Sequence, residues 1–469
     1  MRRLTAIDAL FLYQEDVDPA NHQHTLKVSI IDPATAGHPY EFAETKETVR
    51  RRLPVIPFLR WRLVTVPFRV NHPVWIDDPD FDLDFHVRRV GCPAPGGDRE
   101  LGELISDIAS RPLDRARPLW ELYMVEGLAG GRVAAVAKVH HALADGVASA
   151  EALQRIFDPG PGGADPDLPA GPLGEPVPSR RRVLASALAD LAHHLTTELA
   201  EIIRVTRRVR QQKALWGAGP ADLPPKRFAS PPTPLNRIIT PHRLFAFTSV
   251  PLDDARAVKD AFGCTINDVF LATVAGALRR YLDERGVLPA APLVGGVPVS
   301  IRTPEQAGTW GNRLAMMYVS LRSDIDDPIE RLRAAQAASQ ASKDDFERTR
   351  GARIENWIEF MPVSLARLIL RRYGALARRG GPSAVNVVVS NVPGPRTPLY
   401  ANDARMEAFY SIGPLNIGVG LNITVWSYVD QLNFSLLACR EAVPDLWTLT
   451  DFLRDGVAEL RKASVHARA

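Results

Sequence analysis

The chain has 469 residues, 46% of them hydrophobic, and a formal net charge of +3 from 57 basic and 54 acidic side chains. That length exceeds one ordinary core, so two domains are expected. The near-balanced charge, with no interleaving of basic and aromatic residues, gives no case for nucleic-acid binding. Cys92, Cys264 and Cys439 lie far apart in no motif, which argues against a disulfide framework or a zinc site and fits a reducing cytoplasm.

The N-terminus reaches Asp8 before any long apolar stretch forms, so no signal peptide is expected. No stretch approaches the ~18 to 20 uncharged apolar residues of a spanning helix, so any membrane contact is expected to be peripheral. Thr25 to Ile31 alternates as a strand does. Phe42 to Leu53 and Leu101 to Ala109 read as helices. Arg132 to Val139 has strand composition after a Gly130-Gly131 turn, and a helix is expected from about Val147 to Phe157.

Asp158 to Ser179 is dense in Pro, Gly and Ala and reads as a linker. A long amphipathic helix follows, about Val183 to Leu215. Its stripe is Leu184, Leu188, Leu191, Leu195, Leu199, Ile202 and Val209, and its end is basic, with Arg204, Arg207, Arg208, Arg210 and Lys213. It either lies on an anionic lipid surface or covers the protein body, the second being the commoner use of such a helix. Gly217 to Pro234 is again Pro-rich. Beyond it, strands fit Phe245 to Leu252, Leu293 to Ile301, Ala384 to Ser390, Ile417 to Trp426 and Leu432 to Ala438, and helices fit Asn267 to Arg285, Pro328 to Arg348 and Leu446 to Lys462. Mixed strands and helices in both halves predict an α/β (α+β) architecture. The expected units are 1–158, a linker with its helix over 159–234, and 235–469.

The chemistry concentrates in His140-His141-Ala142-Leu143-Ala144-Asp145-Gly146, where the strand ends. Neighbouring strand residues face opposite ways, so one histidine enters a cavity and the other braces the turn. We assign His141 as a general base and His140 as its support; a packed or surface pair is the alternative, and His193-His194, on the amphipathic helix without a following Asp-Gly, reads as a solvated or interfacial pair. Asp145 either touches substrate or pairs with a cation and holds the turn, the structural role being favoured and Arg302 its expected partner. Gly146 permits a tight turn or close approach of substrate to the backbone. There is no Gly-x-Ser-x-Gly elbow and no cysteine near a histidine, so a nucleophilic triad is unsupported. The economical chemistry is direct attack: His141 takes a proton from an alcohol whose oxygen attacks an activated acyl carbon. The oxyanion then needs a donor; Asn267 is either that donor or a helix cap.

His140 to Gly146 resembles the HHxxxDG signature of acyl-CoA-dependent acyltransferases, which include chloramphenicol acetyltransferase and peptide-synthetase condensation domains. Further segments narrow the resemblance: Pro57 to Leu63, Trp75 to Val87, Leu113 to Glu121 with its Pro118-Leu119-Trp120, Ile266 to Val269, Val297 to Arg302, Gly311-Asn312-Arg313, and Ser390 to Pro395. Together they resemble the bacterial wax ester synthase/diacylglycerol acyltransferase family, triacylglycerol synthases of actinobacterial type above all. The resemblance implies two chloramphenicol-acetyltransferase-like domains with an active-site tunnel between them. It implies acyl-CoA as co-substrate with no further cofactor and no metal. It implies diacylglycerol or a long-chain alcohol as acceptor; the alternatives are another alcohol or an amine as acceptor on the same scaffold, or a non-catalytic lipid-binding or lipid-droplet protein. The expected location is the cytoplasm, either free or peripheral at the inner membrane or lipid droplets. By the same resemblance His141 is the base, and Asn267 and Asp268 form a second motif near the site. Pro118, Leu119 and Trp120 lie near the acceptor or in the fold core. Asn391 belongs to a rigid turn that shapes the backbone or lines the substrate, and Arg302 counts among the substrate-side residues. Where family members carry a Pro-Met-His-type stretch, this chain has Asn21-His22-Gln23-His24-Thr25-Leu26, so preference for acyl chain and acceptor is not carried over.

Overall fold

A computed structural model describes residues 1–163, 174–197, 228–303, 310–349 and 361–466, with residues 207 and 225 between them. In the first half, α1 (Ala6–Val17) begins where Thr5 caps it by accepting from the Asp8 N–H. It is followed by β2 (His24–Asp32), after a short β1 (Arg2–Arg3). Then come α2 (Phe42–Arg52), β3 (Trp61–Val64), β4 (Val74–Asp77), β5 (Val87–Gly91) and α3 (Asp98–Ser110). The half closes with β6 (Trp120–Glu126), β7 (Val133–His140) and α4 (Gly146–Ile156).

The second half carries α5 (Arg180–Thr197), β8 (Arg243–Pro251), α6 (Leu252–Phe262), α7 (Ile266–Asp283), β9 (Val294–Ser300) and β10 (Leu314–Ser320). These are followed by α8 (Pro328–Thr349), α9 (Val363–Arg378), β11 (Val387–Val392), β12 (Tyr400–Ala401) and β13 (Ala404–Ile412). The chain ends with β14 (Leu421–Tyr428), β15 (Gln431–Cys439) and α10 (Leu446–His466).

Two six-stranded mixed sheets, in the orders β12-β13-β2-β7-β6-β5 and β10-β9-β11-β14-β15-β8, organise these elements, with β1-β4-β3 as a separate small sheet. The first is built from the N-terminal half plus β12 and β13 from the C-terminal half; β13 runs antiparallel to β2, and β12 pairs antiparallel with β13 at the sheet edge. The α/β, α+β expectation therefore holds, and one sheet draws on both halves. The alternation of β2 explains its place. Leu26, Val28 and Ile30 enter a large core that also takes Leu101 and Ile105 of α3 and Phe245 and Phe247 of β8. Thr25, Lys27, Ser29 and Ile31 turn to the other face, where two cavities lie. At the α3–β8 contact a Cβ on Gly102 would come within 2.7 Å of Trp447 and 3.0 Å of the Phe245 carbonyl, so only glycine lets the helix approach this strand.

The expected amphipathic helix is described as far as Thr197. Val183 and Ala187 pack on Val66, while Leu188 and Leu191 of the expected stripe stay about half exposed. The face turned to the body is thus the small-residue one, rotated from the leucine stripe. The rest of that stripe, from the Leu195 side chain to Val209, and its Arg-rich end lie outside the described residues; Arg207 is described as helical and exposed. His193 is exposed on this helix, and the side chain of His194 lies outside the described residues. The strand expected from Ile417 starts at Leu421, because Gly418 takes a left-handed φ of 74° that breaks the strand before it begins.

Candidate active site

The end of β7 hands the chain to α4 through the His-His-Ala-Leu-Ala-Asp-Gly segment. His140 ends the strand, its N–H donating to the Leu119 carbonyl at 2.9 Å. His141 donates its N–H to the Gln23 carbonyl at 2.8 Å. The two side chains part as strand geometry requires. His140 accepts from the Ala142 N–H at Nδ1 (3.1 Å) and places Nε2 3.3 Å from Glu15. Accepting at Nδ1 fixes the proton on Nε2. Glu15 also accepts the Gln23 N–H at 2.7 Å and pairs with Arg115 at 2.7 Å. Burial works against ionisation here, yet His140 and these other donors hold the Glu15 carboxyl well below its ordinary range.

His141 faces a cavity of about 310 Å³ between the two sheets. Phe11 of α1 stacks on its ring, centroids 4.3 Å apart and planes within 4°. Its Nδ1 is buried against the residue's own main chain, which leaves Nε2 as the nitrogen open to the cavity. Burial lowers its pKa to about 4, and the charge of Lys27 acts in the same direction. The imidazole is therefore neutral at neutral pH, the state a proton acceptor needs.

Asp145 is buried and lines this cavity beside His141. Its Oδ1 accepts from the Ala148 N–H at 2.9 Å, capping α4, and its Oδ2 takes Arg302 at 3.1 Å and the Arg313 N–H at 2.9 Å. Arg302, equally buried, also donates to the Gly311 carbonyl at 3.0 Å. The expected Asp145–Arg302 pair is thus present; Arg302 holds the turn through it and is not itself among the residues that line the cavity. Gly146 does line the cavity, at the first position of α4, with no left-handed φ; a Cβ there would meet Val392 at an ordinary 3.7 Å.

Sequence reasoning overlooked how far the segment 311–313 clamps this turn. Asn312 donates Nδ2 to the His141 carbonyl at 2.7 Å and to Asp8 at 2.7 Å. Asp8, its pKa raised by burial against these hydrogen bonds, ties the clamp to α1. The signal was faint: acidic residues in a short helix, and an asparagine between Gly311 and Arg313.

Asn267 and Asp268 begin α7, where Thr265 is the cap and Asp268 completes a capping box by accepting the Thr265 N–H at 2.9 Å. Asn267 is neither the cap nor a lining residue of the cavity. Its Oδ1 accepts from Asn391 Nδ2 at 3.4 Å, and Asn391 lines the cavity. Asn391 and Val392 end β11, and the turn after them needs glycine: a Cβ on Gly394 would lie 2.1 Å from both the Ser427 carbonyl and Trp426 Nε1. Pro118 accepts the Trp120 N–H, Leu119 is buried, and Trp120 donates Nε1 to the Leu59 carbonyl at 2.5 Å and stacks on His86. Trp120 is a core residue that shows one face to a second cavity, of about 150 Å³.

That second cavity is almost wholly apolar, lined among others by Ile31, Leu59, Leu122, Met124, Leu153 and Phe409. Lys27 and Ser149 line both cavities and so mark their junction. An apolar slot that meets a more polar chamber faced by a neutral imidazole suits a long acyl chain whose reactive end must reach a base. Among the described residues no three His, Cys, Asp or Glu side chains converge as a metal site would require, and no single helix is long and apolar enough to cross a membrane.

Comparison with known proteins agrees with this geometry. The wax ester synthase/diacylglycerol acyltransferase catalytic domain matches residues 4–270, and the C-terminal domain of the same family matches residues 310–461. A putative diacylglycerol O-acyltransferase of Mycobacterium tuberculosis is 41% identical over 468 residues, 99% of this chain and 98% of its own length. Among solved structures, the wax ester synthase/diacylglycerol acyltransferase of Marinobacter aquaeolei VT8 superposes with a TM-score of 0.72 at 30% identity, covering 99% of this chain and all of that one. The first condensation domain of the calcium-dependent antibiotic synthetase shares the fold at 17% identity, with a TM-score of 0.63 over 100% of this chain and 98% of that one. The chain belongs to the wax ester synthase/diacylglycerol acyltransferase family.

Proposed function

We propose that this acyltransferase moves a long-chain acyl group from acyl-CoA to diacylglycerol or to a long-chain alcohol, with His141 as general base. The observation that carries this is the junction itself: a neutral imidazole opening on a chamber that meets an apolar slot. The acyl chain occupies the slot. The acceptor hydroxyl gives its proton to His141 Nε2 as its oxygen bonds to the thioester carbon. The tetrahedral adduct then expels the CoA thiolate, which takes the proton back from the imidazolium, leaving ester and free thiol. Arg302, Asn312 and Glu15 brace the turn from outside the chamber, and Asp145, on the chamber wall, ties it to Arg302 and to the start of α4. The names of the M. tuberculosis and Marinobacter relatives support both acceptor classes. Incubation with labelled palmitoyl-CoA and, separately, hexadecanol and a diacylglycerol is expected to yield wax ester or triacylglycerol with equimolar thiol. Thiol release without either ester would sink this acceptor assignment.

Such acceptors reside in lipid, and α9 supports a peripheral contact with it. Leu365, Leu368, Ile369 and Leu376 are each 44–49% exposed along one face, with Arg371 and Arg372 exposed beside them. An apolar stripe with basic neighbours suits an anionic lipid surface. Gly374, on the inward side of the same helix, lies against Ile417, next to Asn416 of the cavity wall. The double variant Leu368→Asp/Ile369→Asp is expected to lose most co-sedimentation with phosphatidylglycerol vesicles while keeping turnover on detergent-dispersed substrates. Unchanged co-sedimentation would remove α9 from the contact.

A further inference from the structure

Lys27 is a cation at the centre of a lipid-handling site. It sits mid-strand on β2, on the face that carries Thr25 and Ser29, and its side chain opens on both cavities. Among the described residues its side-chain hydrogen bond goes to Ser411 Oγ, 2.6 Å away and directly opposite on β13. Its ammonium also stands 6.0 Å from the centre of the Trp426 ring. The ionisable groups that face it are His141 and Asp145, both from the β7–α4 turn. Ser411 on β13, Trp426 on β14 and Ser149 on α4 are uncharged. Asp145 attracts it but is already held by Arg302 and two main-chain N–H groups. An enclosed lysine without a dedicated carboxylate is expensive to keep, so its charge calls for a use.

The position supplies one. An acyl chain filling the apolar slot brings its carbonyl to the junction that Lys27 and Ser149 share, within the field that Lys27 exerts on His141. We propose that the Lys27 ammonium stabilises the negative oxygen of the tetrahedral adduct formed during acyl transfer. When the acceptor oxygen bonds to the thioester carbon, the carbonyl π electrons move to oxygen, opposite the fixed cation. They return when the carbon–sulfur bond breaks and thiolate leaves. Lys27 stays protonated throughout; the travelling proton belongs to His141. This assignment fills the donor role that Asn267, set behind Asn391, leaves open. A fixed charge in an enclosed site is worth far more to a developing oxyanion than the same charge in water. Enclosure also pushes the ammonium down to about 8, so its charge is lost within an accessible pH range.

The inference rests on the acyl-transfer reading, and the experiment separates the two. Thiol release is followed from saturating palmitoyl-CoA with hexadecanol, and without alcohol as slow hydrolysis, between about pH 6 and pH 10 for the wild type, Lys27→Met, Lys27→Arg and Ser411→Ala. Lys27→Met is expected to lower kcat by roughly 100-fold in transfer and hydrolysis alike, since both pass through the same adduct, with KM values shifted less than about threefold. Wild-type kcat is expected to decline above pH about 8. Lys27→Arg carries that decline beyond pH ~10, and the residual activity of Lys27→Met lacks it. Ser411→Ala, which frees the ammonium, loses roughly fivefold. If Lys27→Met does not fold, as thermal melting will show, the alkaline limb of Lys27→Arg decides. Unchanged kcat in Lys27→Met overturns the proposal. So does a raised KM for the alcohol at unchanged kcat, which would make Lys27 a grip on the acceptor, and so does an alkaline limb unmoved in Lys27→Arg. An undiminished His141→Ala would sink acyl transfer by His141 itself, whatever Lys27 does.

Discussion

His141→Ala is expected to lower kcat by about 10³-fold while leaving the melting temperature nearly unchanged. A positioned base contributes roughly 10²–10⁴, and the ring faces a cavity with Phe11 stacked on it, so its removal leaves the surrounding core in place. The matching pH dependence is specific. Free histidine titrates near 6.5, but burial brings His141 to about 4. Because the neutral form is the working one, kcat/KM of the wild type is expected to stay level from about pH 8 down to pH 5 and to fall only as protonation sets in near pH 4. An acid limb centred at 6.5 would mean that the working base is a solvated histidine elsewhere. Retained turnover in the alanine variant would leave the imidazole without a part in proton transfer.

Arg302→Ala is expected to destabilise the protein by about 3 kcal/mol, because it strips the cation from a buried carboxylate. The lower end of the usual range applies, since Asp145 keeps the Ala148 and Arg313 N–H groups. The urea midpoint reads the effect. A double variant, Asp145→Asn/Arg302→Met, leaves no charge behind and is expected to lose less than Arg302→Ala alone. Equal stability of Arg302→Ala and wild type would show the pair to be idle.

Much of the first sheet was legible because its strands have one clear face. Thr25 to Ile31 alternates, and Arg132 to Val139 is nearly all apolar, so β2 and β7 fall within a residue or two of their expected bounds. β13 was not legible. Ala404 to Ile412 mixes Arg405, Met406 and Glu407 with aromatics, and its strand character comes from pairing with a β2 that lies over 370 residues away in the chain. α9 escaped for the opposite reason: its apolar residues Leu365, Leu368 and Ile369 face outward, so the stripe does not report a core. At the site, local signals worked and remote ones did not. The His-His-x-x-x-Asp-Gly pattern names its own turn, and Arg302 could be foreseen as the cation a buried Asp145 requires. Glu15, Asp8 and Asn312 are joined to it only by folding. Lys27 carries no local signal beyond its place in an alternating strand; folding turns it to a chamber.

The ladder that runs from Arg405 opposite Asp32 to Ile412 opposite Leu26 has a consequence for how cargo enters. A strand from one lobe stitched edge to edge into the other's sheet behaves as a rivet. The lobes cannot gape like jaws to admit a lipid without unzipping that seam, so reactants must thread in lengthwise through standing openings. Chain fragments severed within residues 164–173 should, by the same seam, reassemble into a working pair when mixed.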